Sequence, residues 1–324
     1  MIVPRYWAEG RVQHKERGRQ VTVRRFGWSD TSEADAQAMA DRRASEALGR
    51  ILSGESKLDR REPKIPYNGA EGVPIREEIL ARHGDAVITR NSYGAHCLNT
   101  PNVLIADIDY EYEQLLPWPA WGCLTLLLSA ILVGWFWSKL AGLAFLILAA
   151  AAVRQIRRAL FAWRANPAAV EAEAAEQVRQ FARAHPDWGL RLYRTPAGLR
   201  VLATHRFFDT EERPVIEFFD ALWVDMTYRT MCHRQRCFRA RLTAKPWRAG
   251  MKDHMRPRPG IWPVNPERMP KRTAWIERYE RAAASYAACR FVESLGSGVV
   301  HPDVRPVVEL HDRLCRATSQ LPLA

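Results

Sequence analysis

Between residues 117 and 153 this chain carries a single charge, Lys139. Those 37 residues would make one straight helix of about 55 Å at ~1.5 Å per residue. A hydrocarbon core is only about 30 Å thick, so two shorter spans folded at Ser138–Lys139 fit the run better than one. Trp118 and Trp121 stand at one end of the first span, Trp135 and Trp137 at the other. At helical rise they are roughly 28 Å apart, the spacing of two interfacial aromatic belts. The second span runs from Leu140 to about Val153, where Arg154, Arg157 and Arg158 can reach the headgroups. Gly134, Ala141, Gly142 and Ala144 would let the two helices approach closely. A buried hairpin in a soluble core is the alternative, but Leu, Ile, Phe and Trp surround every face of both helices. With Arg164, the basic flank belongs in the cytoplasm, and a hairpin returns both flanks to the same side. The expectation is a multi-pass protein of a bacterial inner membrane with both termini cytoplasmic.

The rest of the chain has the composition of a folded protein, 47% hydrophobic and 26% charged. Forty-eight Lys and Arg against 36 Asp and Glu give a net charge of +12. Such a surface favours anionic partners: nucleotides, nucleic acid or anionic lipid headgroups. Six cysteines without regular spacing do not make a disulfide framework, which indicates a reducing compartment. The first 20 residues are polar and lack the apolar core of a cleaved signal peptide.

Before the hairpin, residues 20–26 alternate like a strand, and Asp30 or Ser32 caps a helix through about Leu52 that stops at Gly54. A Pro/Gly-bearing loop over 55–75 follows. REEILARHG reads as a short helix; residues 86–90 and 102–109 read as strands. After the hairpin, residues 166–184 are Ala/Glu-rich and helical. TPAG separates two alternating runs in 188–208, the pattern of a β-hairpin with Leu190, Leu192, Leu199, Val201 and Ala203 facing the core. Val215, Phe218, Phe219, Leu222 and Met226 recur at helical spacing, and CFRARLTAKPW alternates as a strand. Helices over 273–295 and 302–317 close the chain, with Gly296 stopping the first and Pro302 opening the second. Neither flank alone holds a complete sheet. The reading is therefore α+β: one cytoplasmic mixed-sheet domain in two halves, 1–116 and 186–324. A transmembrane hairpin (117–160) and a helical stalk (161–185) interrupt it.

In VLIADIDYEY (103–112), Asp107 and Asp109 are two apart on a strand and share a face. Paired carboxylates at a strand end can hold Mg²⁺ or Mn²⁺ and leave open positions for phosphate oxygens; the alternative is a strand that ends in a solvated acidic loop. Glu111 counts against a haloacid-dehalogenase-like phosphatase, which usually carries Thr or Val there. No QxxRW-like sequence follows, as a GT-A glycosyltransferase would need. The hydrophobic-strand-DxD, followed by Ala203-Thr204-His205, resembles the core motifs of the archaeo-eukaryotic primase superfamily. TPAGLR resembles that superfamily's glycine-turn strand, with Arg200 where some members have His. The resemblance covers about residues 86–250 and implies metal-dependent nucleotidyl transfer. Asp107 and Asp109 would be the metal ligands, and His205 with Arg200 or Arg239 would steady the triphosphate. The third motif, a hydrophobic residue before an acid, matches Val224–Asp225 in letters but falls on a helical pattern.

The stretch 228–258 holds ten Lys and Arg and one acid, Asp253. Arg239, Arg241 and Lys245 alternate, a comb that suits triphosphate, a nucleic-acid backbone, anionic lipid or plain solvation. Cys232, His233, Cys237 and His254 contain the makings of a zinc set without the spacing of a finger. His96–Cys97 and His301/His311 read as packed or surface residues. No Walker A, GxSxG or HExxH motif occurs. Two function classes therefore stand: a membrane-anchored nucleotidyltransferase or its degenerate relative, and a non-catalytic membrane module with a basic face.

Overall fold

The alternation of residues 20–26 extends much further in the structure, a computed structural model. β1 (Tyr6–Glu16) and β2 (Arg19–Ser29) pair antiparallel from Tyr6 opposite Ser29 to Glu16 opposite Arg19. α1 (Glu33–Leu52) begins at Ser32, whose hydroxyl accepts a hydrogen bond from the Asp35 N–H. Its buried stripe is Ala36, Ala40, Ala44 and Ala47. That stripe lies directly on the hairpin because Gly10 and Gly27 lack a Cβ. One built at Gly27 would stand 2.1 Å from the Ala36 carbonyl oxygen, and one at Gly10 2.4 Å from that of Ala40. Only glycine allows backbones this close.

The structure describes residue 1 and residues 3–16, 19–55, 58–60, 62, 73–110, 120–164, 167–258 and 262–324. Most of the expected loop over 55–75, and Trp118 with it, lies outside these residues. The fold is mixed α+β. One four-stranded sheet has the order β3-β4-β5-β9, from Glu78–His83, Ala86–Arg90, His96–Thr100 and Phe238–Arg241. The other has the order β10-β7-β8-β6, from Arg290–Gly296, Gly189–Thr195, Gly198–Ala203 and Ile105–Asp109. The remaining helices are α2 (Ala120–Phe136), α3 (Lys139–Arg164), α4 (Pro167–Ala184), α5 (Arg213–Ala221), α6 (Met226–Gln235), α7 (Met269–Ala283) and α8 (Arg305–Cys315).

The chain divides into two compact units, Met1–Ile108 with Val178–Ala324, and Asp109–Gln177. In the first unit strands from both flanks interleave: β9 pairs with β5, and β8 is the neighbour of β6. The β7–β8 hairpin turns at TPAG, and Leu190, Leu192, Leu199, Val201 and Ala203 are all at most 2% exposed. Phe181 and Phe218 meet edge to face at 5.0 Å, and Trp188 stacks on Phe218 at 5.2 Å. This aromatic cluster joins α4 and α5 to the start of β7.

Several elements differ from the sequence reading. REEILARHG is not a helix but contains β3, because a ladder with β4 and buried arginine partners outweigh local helix propensity. The helix expected over 273–295 ends at Ala283; residues 290–296 alternate and add β10 to the edge of β7. Gly296 closes that strand with φ +71° instead of stopping a helix. The strand expected across CFRARLTAKPW is only Phe238–Arg241. Pro302 lies outside α8, which has Pro306 in its first turn. The helical run 215–226 breaks in two at Trp223 (φ +50°), and Asp225 caps α6 by accepting from the Tyr228 N–H.

In the second unit α2 and α3 form a helical hairpin. Ser138 turns the chain, its carbonyl and hydroxyl accepting from the N–H groups of Gly142 and Ala141. A Cβ on Gly142 would lie 2.6 Å from the Ala130 carbonyl oxygen, so the helices cross at glycine. Among the described residues, Lys139–Ile156 is long and apolar enough to cross a membrane by length and composition; Leu124–Phe136 is apolar but shorter.

Candidate functional site

The strand geometry that places Asp107 on the face of its sheet also supplies it with a partner from β8. Arg200 grips it with both forks: Nε donates to Oδ1 at 2.6 Å and a terminal nitrogen to Oδ2 at 2.9 Å. Arg200 is 1% exposed. Burial opposes its charge and the Asp107 carboxylate more than restores it, holding the guanidinium well above its ordinary value. Its remaining nitrogen donates to the Arg241 carbonyl at 2.9 Å and lies 3.3 Å from His311 Nε2. Mg²⁺ or Mn²⁺ needs carboxylate oxygens that point at the ion. Both oxygens of Asp107 face a permanent, buried cation, so an ion bound here would share the carboxylate with Arg200.

The structure does not bring His205 to the aspartates. The Ala203 N–H donates to the Leu104 carbonyl, while Arg200 meets Asp107, so β6 and β8 run in opposite directions. At ~3.3 Å per residue His205 is on the order of 15 Å from Asp107 along the sheet. Its ring packs on Trp188 at 4.9 Å and Phe208 at 5.3 Å, within the aromatic cluster, whereas Arg200 points to the His311 side. The position that faces the first aspartate belongs to Arg200. Asp109, the last residue of β6, is exposed.

Burial holds the His205 imidazole below the ordinary histidine value, and Nδ1 accepts from the Gly189 N–H at 3.2 Å. The depressed folded value means that the unfolded chain takes up the proton first as pH falls below about 6.5. The wild type should therefore lose melting temperature relative to His205→Gln between about pH 7.5 and about pH 5.5. A difference between the two that stays constant across that window would remove the half-buried neutral imidazole.

The basic comb does not form. Arg239 is buried, its terminal nitrogen 3.0 and 2.8 Å from the two oxygens of the fully buried Glu77, and its other fork donates to Asn99. Arg241 is half-buried, and Lys245 lies beyond β9 with its ammonium 5.6 Å from the Trp247 ring centre. Asp107, Asp225, Tyr228, Arg239 and Arg241 line a cavity of about 190 Å³. That is below the roughly 300–1,000 Å³ of small-molecule sites, and small for a nucleoside triphosphate. The Tyr228 hydroxyl bridges the carbonyls of Ile105 (2.8 Å) and Arg239 (3.0 Å), tying the two four-stranded sheets together beside it.

The sequence-level zinc set is not assembled either. Cys232 and Cys237 are buried, with desolvation pushing the Cys237 thiol up to about 12, and His254 is exposed. His96 Nε2 lies 2.8 Å from Glu280 Oε1, within hydrogen-bond distance. Among the described residues, a cluster does assemble at Cys289, His311 and Cys315, all buried, with their donor atoms within 4.8 Å of one another. His311 and Cys315 are four apart on α8 and so share its buried face with Val308. The Ala288 N–H donates to the Cys315 carbonyl at 3.0 Å and brings Cys289 alongside. The sequence signal was His311-x3-Cys315, one helical turn apart; nothing local pointed to Cys289. Comparison of the chain with protein-family models, curated proteins and solved structures finds no match.

Proposed function

We propose that this chain is an integral membrane protein whose α+β unit is a non-catalytic module held at the cytoplasmic face of the inner membrane. The observation that carries the reading is the outer surface of the α2–α3 hairpin. Ile131, Trp135, Phe136, Trp137, Leu140 and Leu148 are 61, 85, 78, 83, 79 and 70% exposed. An apolar surface of this extent marks an interaction site, and here it runs around both helices. α2 is 17 residues, about 26 Å at ~1.5 Å per residue, close to a hydrocarbon core of ~30 Å. Trp135 and Trp137 at the turn suit one headgroup layer. Arg154 and the arginines after it suit the other, where anionic lipid headgroups contribute about 1 kcal/mol per basic residue near the surface. The partner is accordingly the bilayer itself.

A reporter fused at Lys139 should be exposed outside the membrane, with reporters at both termini inside. Termini on opposite sides would reduce the hairpin to a single span and overturn the topology.

The nucleotidyltransferase reading keeps one supporting observation, Asp225 lining the same cavity as Asp107. Labelled-nucleotide incorporation in the presence of Mn²⁺ separates the two. The non-catalytic reading expects the wild type to match Asp107→Ala plus Asp109→Ala; incorporation by the wild type alone would reverse it.

A further inference from the structure

We infer that Cys289, His311 and Cys315 form a binding site for one zinc-class transition-metal ion per chain. Two sulfurs and one imidazole nitrogen are the donors such an ion selects. Zinc binds sulfur at about 2.3 Å and nitrogen at about 2.0–2.1 Å, which sets tetrahedral donor separations of about 3.5–3.8 Å. Cys289 Sγ lies 3.9 Å from His311 Nε2, and no pair of donor atoms exceeds 4.8 Å. Closing the set onto an ion takes shifts of an ångström or less.

The surroundings favour a metal over simple packing of thiols. His311 Nδ1 is 3.0 Å from Asp312 Oδ1, so its N–H donates there and the lone pair of Nε2 faces Cys289. Asp312 is itself fixed by the Tyr193 hydroxyl at 2.6 Å and by Arg191 at 2.7 Å. This carboxylate-to-imidazole support is what orients histidine ligands in metal sites. A disulfide between the two cysteines would need no third donor and no oriented imidazole. Charge balances as well: a divalent ion with two thiolates is neutral, and Arg200 beside it is already neutralised by Asp107. Arg200 lies 3.9 Å from Cys315 Sγ, where its N–H can donate to a metal-bound sulfur. It keeps its bond to the Arg241 carbonyl when Nε2 turns to the ion. Three protein donors leave the fourth vertex to a water or another small ligand.

The test uses the full chain in detergent, stripped with a chelator and titrated with Zn²⁺ or Co²⁺. One equivalent should bind, and cobalt should give visible d–d bands with a near-ultraviolet thiolate-to-cobalt band. Cys315→Ser should cut the thiolate band to about half or less, Cys289→Ser plus Cys315→Ser should abolish it, and Asp312→Asn should weaken zinc binding about 10–100-fold while leaving the ligands in place. Failure of the wild type to bind cobalt overturns the site without depending on any variant's folding. So does a spectrum unchanged by Cys289→Ser and Cys315→Ser, or a Cys289–Cys315 disulfide found by mass spectrometry in protein isolated under reducing conditions.

Discussion

Replacing Glu77 by alanine is expected to cost this protein about 3–5 kcal/mol of folding free energy. Glu77 is 0% exposed and takes the Arg239 guanidinium on both oxygens as well as the Thr89 hydroxyl at 2.6 Å. Truncation would leave a guanidinium buried among β4, β5 and β9, with its carboxylate gone. The pair itself is not the source of so large a number: charges removed from water regain little more than their desolvation cost. The cost comes from orphaning one of them. The double variant Glu77→Met plus Arg239→Met should accordingly lose much less than Glu77→Ala alone. Denaturant unfolding of the full chain in detergent measures both. A single-variant loss under about 1 kcal/mol, or a double variant as damaged as the single, would contradict the buried ion pair.

Trp188→Ala should be comparably damaging, about 3–5 kcal/mol, for a different reason. Trp188 is 7% exposed and its ring contacts Phe181, His205, Phe208 and Phe218 at centroid distances of 4.9–5.2 Å. Burying an aromatic side chain of roughly 150–250 Å² at about 25 cal/mol per Å² supplies several kcal/mol. Removing it leaves a cavity between α4, α5 and the β7–β8 hairpin that the rigid strands cannot close. Trp188→Phe retains much of that volume and should cost far less. A Trp188→Ala protein with wild-type unfolding would mean that the cluster packs loosely.

Much of the secondary structure was legible because its causes are local. The TPAG turn between alternating runs, the Ser32 cap and the break at Ser138 depend on residues within a few positions of one another. The elements misread are those where a distant partner decides. β3 has helix-compatible letters and becomes a strand through β4; β10 leaves a helical pattern to take the free edge of β7. The candidate site failed for the same reason. DxD is visible as letters, but whether its first carboxylate is available depends on Arg200, 93 residues later. Arg239 looked like one tooth of a cationic comb until Glu77, 162 residues earlier, neutralised it.

The sequence by itself determined the apolar helical hairpin, the basic charge balance and the turn chemistry, because hydropathy, charge and backbone preference are summed along the chain. Only the tertiary structure decided which charges are spent on one another, and that Cys289 joins His311 and Cys315. Electrostatic pairing and metal-donor geometry act over a few ångströms in space: strand pairing across both flanks of the hairpin brings Arg200 to Asp107 and Arg239 to Glu77, and the Ala288–Cys315 backbone hydrogen bond brings Cys289 to α8.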